Sequence, residues 1–216
     1  DVVGMSAGSG HTLFIKSDGR LMALGRNDGG QLGIGDNSDR GEATEVDAQV
    51  EAISCGGGHS LYLKTDGTLW AMGYNGNGQL GDGTLENRNT PVQIDSDVKL
   101  ISAGFGHSLY LKSDGTLMGM GGNSDGELGD GTNTNRNNPV VVDTDVDAIS
   151  AGEFYSLYVK ADGTLKAMGW NEFGQLGDHS VFSRNTAVTI ASDVQSVSAG
   201  FGHSLFLKTD GTVYGM

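Results

Sequence analysis

Short runs of alternating apolar and polar residues recur along this chain, and they read as strands. Leu61 and Leu63 alternate with Tyr62 and Lys64, a period of two that predicts a β-strand. Thr65-Asp66-Gly67 comes next and supplies what a tight turn needs. The Asp side chain bonds nearby backbone, and Gly accepts the positive φ that a hairpin imposes. Leu69 and Ala71 then alternate with Trp70 and Met72, which completes a predicted hairpin. Two further strands are expected, one at Pro91-Val92-Gln93-Ile94 and one from Val98 to Ala103. Pro91 opens the first of them, where a missing N–H is tolerated. A Gly- and Asn-rich stretch, Gly73 to Asn89, separates the hairpin from Pro91, and no segment shows a capped helical period.

This unit repeats. His11, His59, His107, Tyr155 and His203 follow one another in steps of 48 residues, as do Lys16, Lys64, Lys112, Lys160 and Lys208. The Asp-Gly pairs at Asp18, Asp66, Asp114, Asp162 and Asp210 keep the same step, with no insertion or deletion. Four strands in every 48 residues predict an all-β fold, a β-propeller of four-stranded blades. The whole chain, 1–216, is read as one propeller domain of about four and a half repeats: 1–48, 49–96, 97–144, 145–192 and a partial 193–216.

The copies follow, with single departures, A-G-x-x-H-S-L-x-L-x-x-D-G-x-L, then G-x-N-x-x-G-Q-L-G-D-G, then R-N-x-P-V. The third shows it from Ala103-Gly104 and His107-Ser108-Leu109, through Gly126-Glu127-Leu128-Gly129-Asp130-Gly131, to Pro139-Val140. This pattern closely resembles the repeat of the regulator of chromosome condensation family over the entire chain. The resemblance implies a ring of typically seven blades, each of about fifty residues. The chain stops at Gly215-Met216, inside a motif, so the expectation is a piece of a larger ring, the rival being several chains that close one ring together. An open arc exposes unpaired strand edges, which invites self-association.

Composition narrows the function. With Lys plus Arg at 13 and Asp plus Glu at 27, the net charge is −14, which repels phosphate. Nucleic-acid binding through a basic face and attraction to an anionic membrane are both disfavoured. No apolar run reaches the roughly 18 residues of a membrane span, so no membrane insertion is expected. Residues 1–20 lack the basic start and apolar stretch of a signal peptide. The single cysteine, Cys55, forms no internal disulfide and fits the cytoplasm and a bacterial exterior alike. Near-identical repeats and 37 glycines among many Asn, Asp and Thr residues look extracellular or cell-surface, in a bacterium.

Residues identical in every copy read as structural. The histidines sit on different blades, so they cannot converge on a metal ion, and Tyr155 in the fourth copy keeps only a hydrogen bond. Arg40, Arg88, Arg136 and Arg184 are expected to lock blades by pairing with carboxylates or carbonyls, and Asn27, Asn75, Asn123 and Asn171 to serve as turn residues. Ser60, Ser108, Ser156 and Ser204 each follow a His or Tyr, but strand neighbours point to opposite faces and cannot act as nucleophile and base. The G-x-N-x-x-G segments lack the Lys-Ser/Thr ending of a phosphate loop. Asp143-Thr144-Asp145-Val146-Asp147 opens like a calcium loop, yet Ala148 stands at the turn glycine, so a solvated loop is expected. No cofactor, metal or catalytic constellation is expected.

Variable positions read as functional. One equivalent position carries Arg26, Tyr74, Gly122 and Trp170, and another Ser9, Gly57, Phe105, Glu153 and Phe201. The fourth copy departs most, with Glu153-Phe154-Tyr155, Trp170, Glu172-Phe173 and Phe182. Aromatic side chains on loops of a rigid scaffold suit protein recognition. The candidate binding residues are therefore Tyr74, Phe105, Phe154, Trp170, Glu172, Phe173, Phe182 and Phe201. The leading expectation is a non-catalytic protein-binding or scaffold module. The resemblance adds two alternatives, a secreted inhibitor of β-lactamases and nucleotide exchange on a small GTPase. The unbroken repeat leaves no inserted wedge for the latter.

Overall fold

In the computed structural model, which describes residues 1–216 throughout, nineteen β-strands form and no helix does. The first sheet holds β1 (Val2–Ala7), β2 (His11–Lys16), β3 (Leu21–Gly25) and β4 (Arg40–Asp47). The second holds β5 (Val50–Cys55), β6 (His59–Lys64), β7 (Leu69–Gly73) and β8 (Arg88–Asp95). The third holds β9 (Val98–Ala103), β10 (His107–Lys112), β11 (Leu117–Gly121) and β12 (Arg136–Asp143). The fourth holds β13 (Val146–Ala151), β14 (Tyr155–Lys160), β15 (Leu165–Gly169) and β16 (Arg184–Ala191). The last is three-stranded, with β17 (Val194–Ala199), β18 (Ser204–Lys208) and β19 (Val213–Gly215). Within each sheet consecutive strands pair antiparallel. The strand expected at Pro91–Ile94 starts earlier, at Arg88.

Successive first strands, β1, β5, β9, β13 and β17, adjoin one another, so they surround an axis and the sheets are propeller blades. The predicted hairpin forms as read: Tyr62 stands opposite Trp70, and Gly67 takes φ 80° while its N–H reaches the Lys64 carbonyl.

Alternation along a blade strand separates the two neighbouring blades and not core from solvent. On β6, Leu61 and Leu63 pack toward the third blade with Val98, Tyr110 and Met120, whereas Tyr62 packs toward the first with Leu13 and Ile15. All five residues from His59 to Leu63 are therefore buried. Each leucine so buried contributes about 2 kcal/mol. At the ends of the arc the uncovered apolar surface lies on sheet faces, with Met5 77% and Val213 65% exposed.

Polar ties cross each blade boundary. Opposite-facing neighbours do not meet each other, but each meets the next copy: His11 Nε2 lies 2.8 Å from Ser60 Oγ, His59 Nε2 2.8 Å from Ser108 and His107 Nε2 3.0 Å from Ser156. At the fourth boundary the Tyr155 hydroxyl lies 2.9 Å from Ser204 Oγ. Ser60 Oγ–H donates to the Gln31 carbonyl at 2.8 Å, so the imidazole must donate from Nε2. Burial holds His11 and His107 near pKa 4 and His59 near 3, all neutral at pH 7. The rings lie against glycine: a Cβ on Gly8 would collide with His11 Cε1. A sealed serine that already donates to backbone, beside a neutral imidazole, is a structural link.

A second tie joins Tyr, Asp and Lys. Tyr110 OH donates to Asp95 Oδ2 at 2.8 Å and Lys112 Nζ lies 3.1 Å away, with the same set at Tyr62, Asp47 and Lys64 and at Tyr158, Asp143 and Lys160. Burial alone would raise the Asp95 pKa, but the bonds from Tyr110, the Ser96 N–H and Lys112 outweigh it and hold the carboxyl below its ordinary value. Where the carboxylate is missing, at Ala191, the tyrosine is also missing, replaced by Phe206. Asp143 is thus committed to this tie, and the expected solvated loop shrinks to a two-residue turn, Thr144-Asp145, between β12 and β13. Asp95→Ala should cost about 2 kcal/mol of unfolding free energy by orphaning the Tyr110 hydroxyl and Lys112. Adding Tyr110→Phe, the pairing seen at Ala191 and Phe206, should recover part of that loss, measured by a denaturant double-mutant cycle.

Candidate functional site

One end of the arc carries two loops from each blade, the loop after its first strand and the long loop after its third. Hydrogen bonds make the long loop rigid. Asn171 is fully buried, its Oδ1 accepts from the Leu176 N–H at 2.9 Å, and its Nδ2 donates to Asp178, Ser180 and the Phe182 carbonyl at 3.0, 3.1 and 3.2 Å. These bonds span five to eleven residues, so the asparagines brace whole loops rather than bonding their own turn. The arginines act likewise within a blade: Arg184 Nε donates to Asp178 Oδ2 at 2.7 Å and Arg88 Nε to Asp82 Oδ2 at 2.6 Å. The expectation of a lock between blades is corrected on this point, because the carboxylate belongs to the arginine's own loop.

A buried amide props the loop from below. Gln175 Oε1 accepts the Phe173 N–H at 3.0 Å, Gln79 Oε1 the Asn77 N–H at 3.0 Å and Gln31 Oε1 the Gly29 N–H at 2.9 Å. In the third blade Glu127 Oε2 replaces the amide and accepts the Asp125 N–H at 2.9 Å. Burial raises the Glu127 pKa above its ordinary 4.5.

On this frame the third, fourth and fifth repeats bring five aromatic rings together. Trp170 is the hub, with ring centroids 6.1 Å from Phe154, 5.0 Å from Phe173 and 6.2 Å from Phe201, all edge-on. Phe105 extends the set, 5.5 Å from Phe154. Phe173 and Phe201 remain 65% and 60% exposed, so the cluster is a surface and not a core. A Cβ on Gly202 would lie 2.7 Å from Phe173 Cδ2, which places that ring over the adjoining blade. Tyr74 stands apart from the cluster and shares a cavity with Phe105. Phe182, 71% exposed, and the exposed Glu172 lie outside the ring contacts.

Glu153 is a residue that sequence reasoning placed at a variable position but left out of the candidate site. Backbone bonds run from the Phe105 N–H to the Glu153 carbonyl and from the Glu153 N–H to the Gly200 carbonyl, so it stands between Phe105 and Phe201 around the axis. All three line a cavity of about 350 Å³ beside the axis, where the first strands of the blades end. Its carboxylate bonds no protein group, Oε2 is sealed from solvent, and burial raises its pKa. The available signal was its being the only charged member of the set Ser9, Gly57, Phe105, Glu153 and Phe201.

All of residues 1–216 match the profile of the RCC1-like domain. The chain belongs to the RCC1-like domain family. Among solved structures it is similar to human WBSCR16, at 22% identity and TM-score 0.86 over 99% of this chain and 61% of that one. It is similar to yeast RCC1 (Prp20) bound to Kap60, at 21% identity and TM-score 0.84 over 99% of this chain and 55% of that one. A second structure of Prp20p from Saccharomyces cerevisiae, described with its binding properties to Gsp1p and histones, gives 20% identity, TM-score 0.83 and coverage of 99% and 56%. This RCC1-like chain thus spans 55% to 61% of the length of these neighbours, and the likeness shows the propeller fold. No curated protein matches the chain in sequence.

Glu127→Gln restores the amide of the other blades. The folded-state pKa of Glu127 lies above its ordinary 4.5, so the ionised form costs stability as pH rises from there. Glu127→Gln should raise the thermal midpoint at neutral pH, and the gain should vanish below pH 4.5, where the wild-type carboxyl is protonated folded and unfolded.

Proposed function

We propose that this RCC1-like chain is a non-catalytic protein-binding module and that the cluster centred on Trp170 is its recognition surface. The observation that carries this reading is the contiguity of Phe105, Phe154, Trp170, Phe173 and Phe201 on braced loops at one end of the arc. Rigid aromatics bury large area on binding with little loss of entropy, and edge-on contacts hold them ready. Glu153 adds the one charged side chain lining the cavity that Phe105 and Phe201 share with it. The similar Prp20 structures concern a propeller that engages other proteins. The repeated residues are occupied by ties between and within blades, which leaves recognition to the positions that vary.

Selection of a displayed peptide library on the immobilised chain tests this reading. Enriched peptides should lose at least about tenfold in affinity toward Trp170→Ala/Phe173→Ala, because the hub and its exposed neighbour are removed together. Circular dichroism and thermal midpoint should stay close to wild type. Peptides that bind the double variant as well as the parent would remove the cluster from the recognition surface.

A further inference from the structure

The largest cavity on the same end, about 450 Å³, lies between loops of the first three blades and is walled by Tyr74 and Phe105. Its positions have counterparts two repeats later. Gly58, Tyr74, Asn77 and Phe105 precede Phe154, Trp170, Phe173 and Phe201 by 96 residues each. The local packing agrees: a Cβ on Gly106 would meet Asn77 Nδ2 at 3.0 Å, just as one on Gly202 would meet Phe173 Cδ2 at 2.7 Å. One groove of the repeat is therefore present twice. In the later copy the rings of Phe154 and Phe173 occupy it, and in the earlier copy Gly58 and Asn77 leave it open.

We infer that the open groove is a binding site for an aromatic side chain of a partner protein, which enters where the ring of Phe154 lies in the later copy. The internal ring shows what the groove accepts: Phe154 lies edge-on to Trp170 at 6.1 Å, while in the open copy Tyr74 walls the groove with its ring turned over Gly76, the position that Glu172 holds in the later copy. Phe105, 47% exposed, supplies the second apolar wall, as Phe201 does beside Trp170. The floor is polar. Gln79 Oε1 is taken by the Asn77 N–H, while Gln79 Nε2 donates to no protein group and is left for a carbonyl or hydroxyl of the guest. With a net charge of −14, the chain favours an aromatic residue carried on a basic segment over one on an acidic segment. This site is distinct from the Trp170 cluster and shares only Phe105 with it.

The test is amide NMR titration of the whole chain with acetyl-Lys-Phe-Lys-amide, with Lys-Leu-Lys and Glu-Phe-Glu peptides as controls. The Phe peptide should shift the amides of Gly58, Tyr74 and Phe105 and saturate at about millimolar concentration, as expected for so small a ligand. The Leu and Glu peptides should bind more weakly. Gly58→Phe is designed to fill the groove from within; the nearest atom to a Cβ there is Tyr74 Cβ at 3.4 Å, an ordinary contact. That variant should weaken the peptide by at least about tenfold. Phe154→Gly should open the later groove and produce new shifts around Trp170, a gain that does not depend on how well Gly58→Phe folds. Trp170→Ala/Phe173→Ala should leave binding at Gly58 unchanged, so loss of the recognition surface and loss of this site are separately visible. Absence of saturable shifts, equal binding by the Leu peptide, or no gain in Phe154→Gly would overturn the inference.

Discussion

A sheet that is apolar on both faces cannot stand alone in water, and this constraint governs the whole molecule. Leu61 and Leu63 need the third blade, Tyr62 needs the first, and the same demand recurs at each boundary. Apolar burial has no direction, so it does not by itself set how one blade is registered on the next. The polar ties do. An imidazole must donate to a serine that is already donating to backbone, and a tyrosine hydroxyl must find a carboxylate from the preceding blade. Each tie is buried or partly buried, where an unmade hydrogen bond costs more than a made one contributes.

Much of this architecture was legible in the period of the chain. An unbroken step of 48 residues, with a hairpin inside each step, predicted the blades and their order. The structural role of the histidines followed from their repetition, although their partners did not. His11 meets Ser60, one residue out of step with the repeat, and only the stacking of blades reveals that offset. The arginines and asparagines show the opposite error. Their recurrence suggested links between blades and simple turns, whereas both fold back on their own long loop, a geometry that composition does not encode. Of the eight candidate residues, Phe105, Phe154, Trp170, Phe173 and Phe201 converge, since their loops leave one end of the arc together. Glu172 and Phe182 share that fourth-blade loop yet stand outside the contacts, because position on a loop does not dictate direction.

Once the repeated residues are committed to holding blades together, the loops can vary at little cost to the fold. The same groove is packed with phenylalanine in one place and open in another, while the asparagine and glutamine props beneath are unchanged. On the proposed reading, such a scaffold alters what it binds by exchanging small or polar loop residues, Gly58 and Asn77 in one place, for the rings of Phe154 and Phe173 in another. The frame shows the same economy: Phe206 accompanies the loss of the carboxylate at Ala191, and Glu127 stands in for glutamine with its pKa raised by burial.

Neutral imidazoles that link neighbouring blades through Nε2–H lie at the centre of this picture. Nitrogen-15 NMR of the histidine rings across a pH series reads both tautomer and charge. His11, His59 and His107 should keep the proton on Nε2 and stay neutral until pH falls to about 4 for His11 and His107 and about 3 for His59. Titration of these rings near 6.5, or a proton resident on Nδ1, would contradict it.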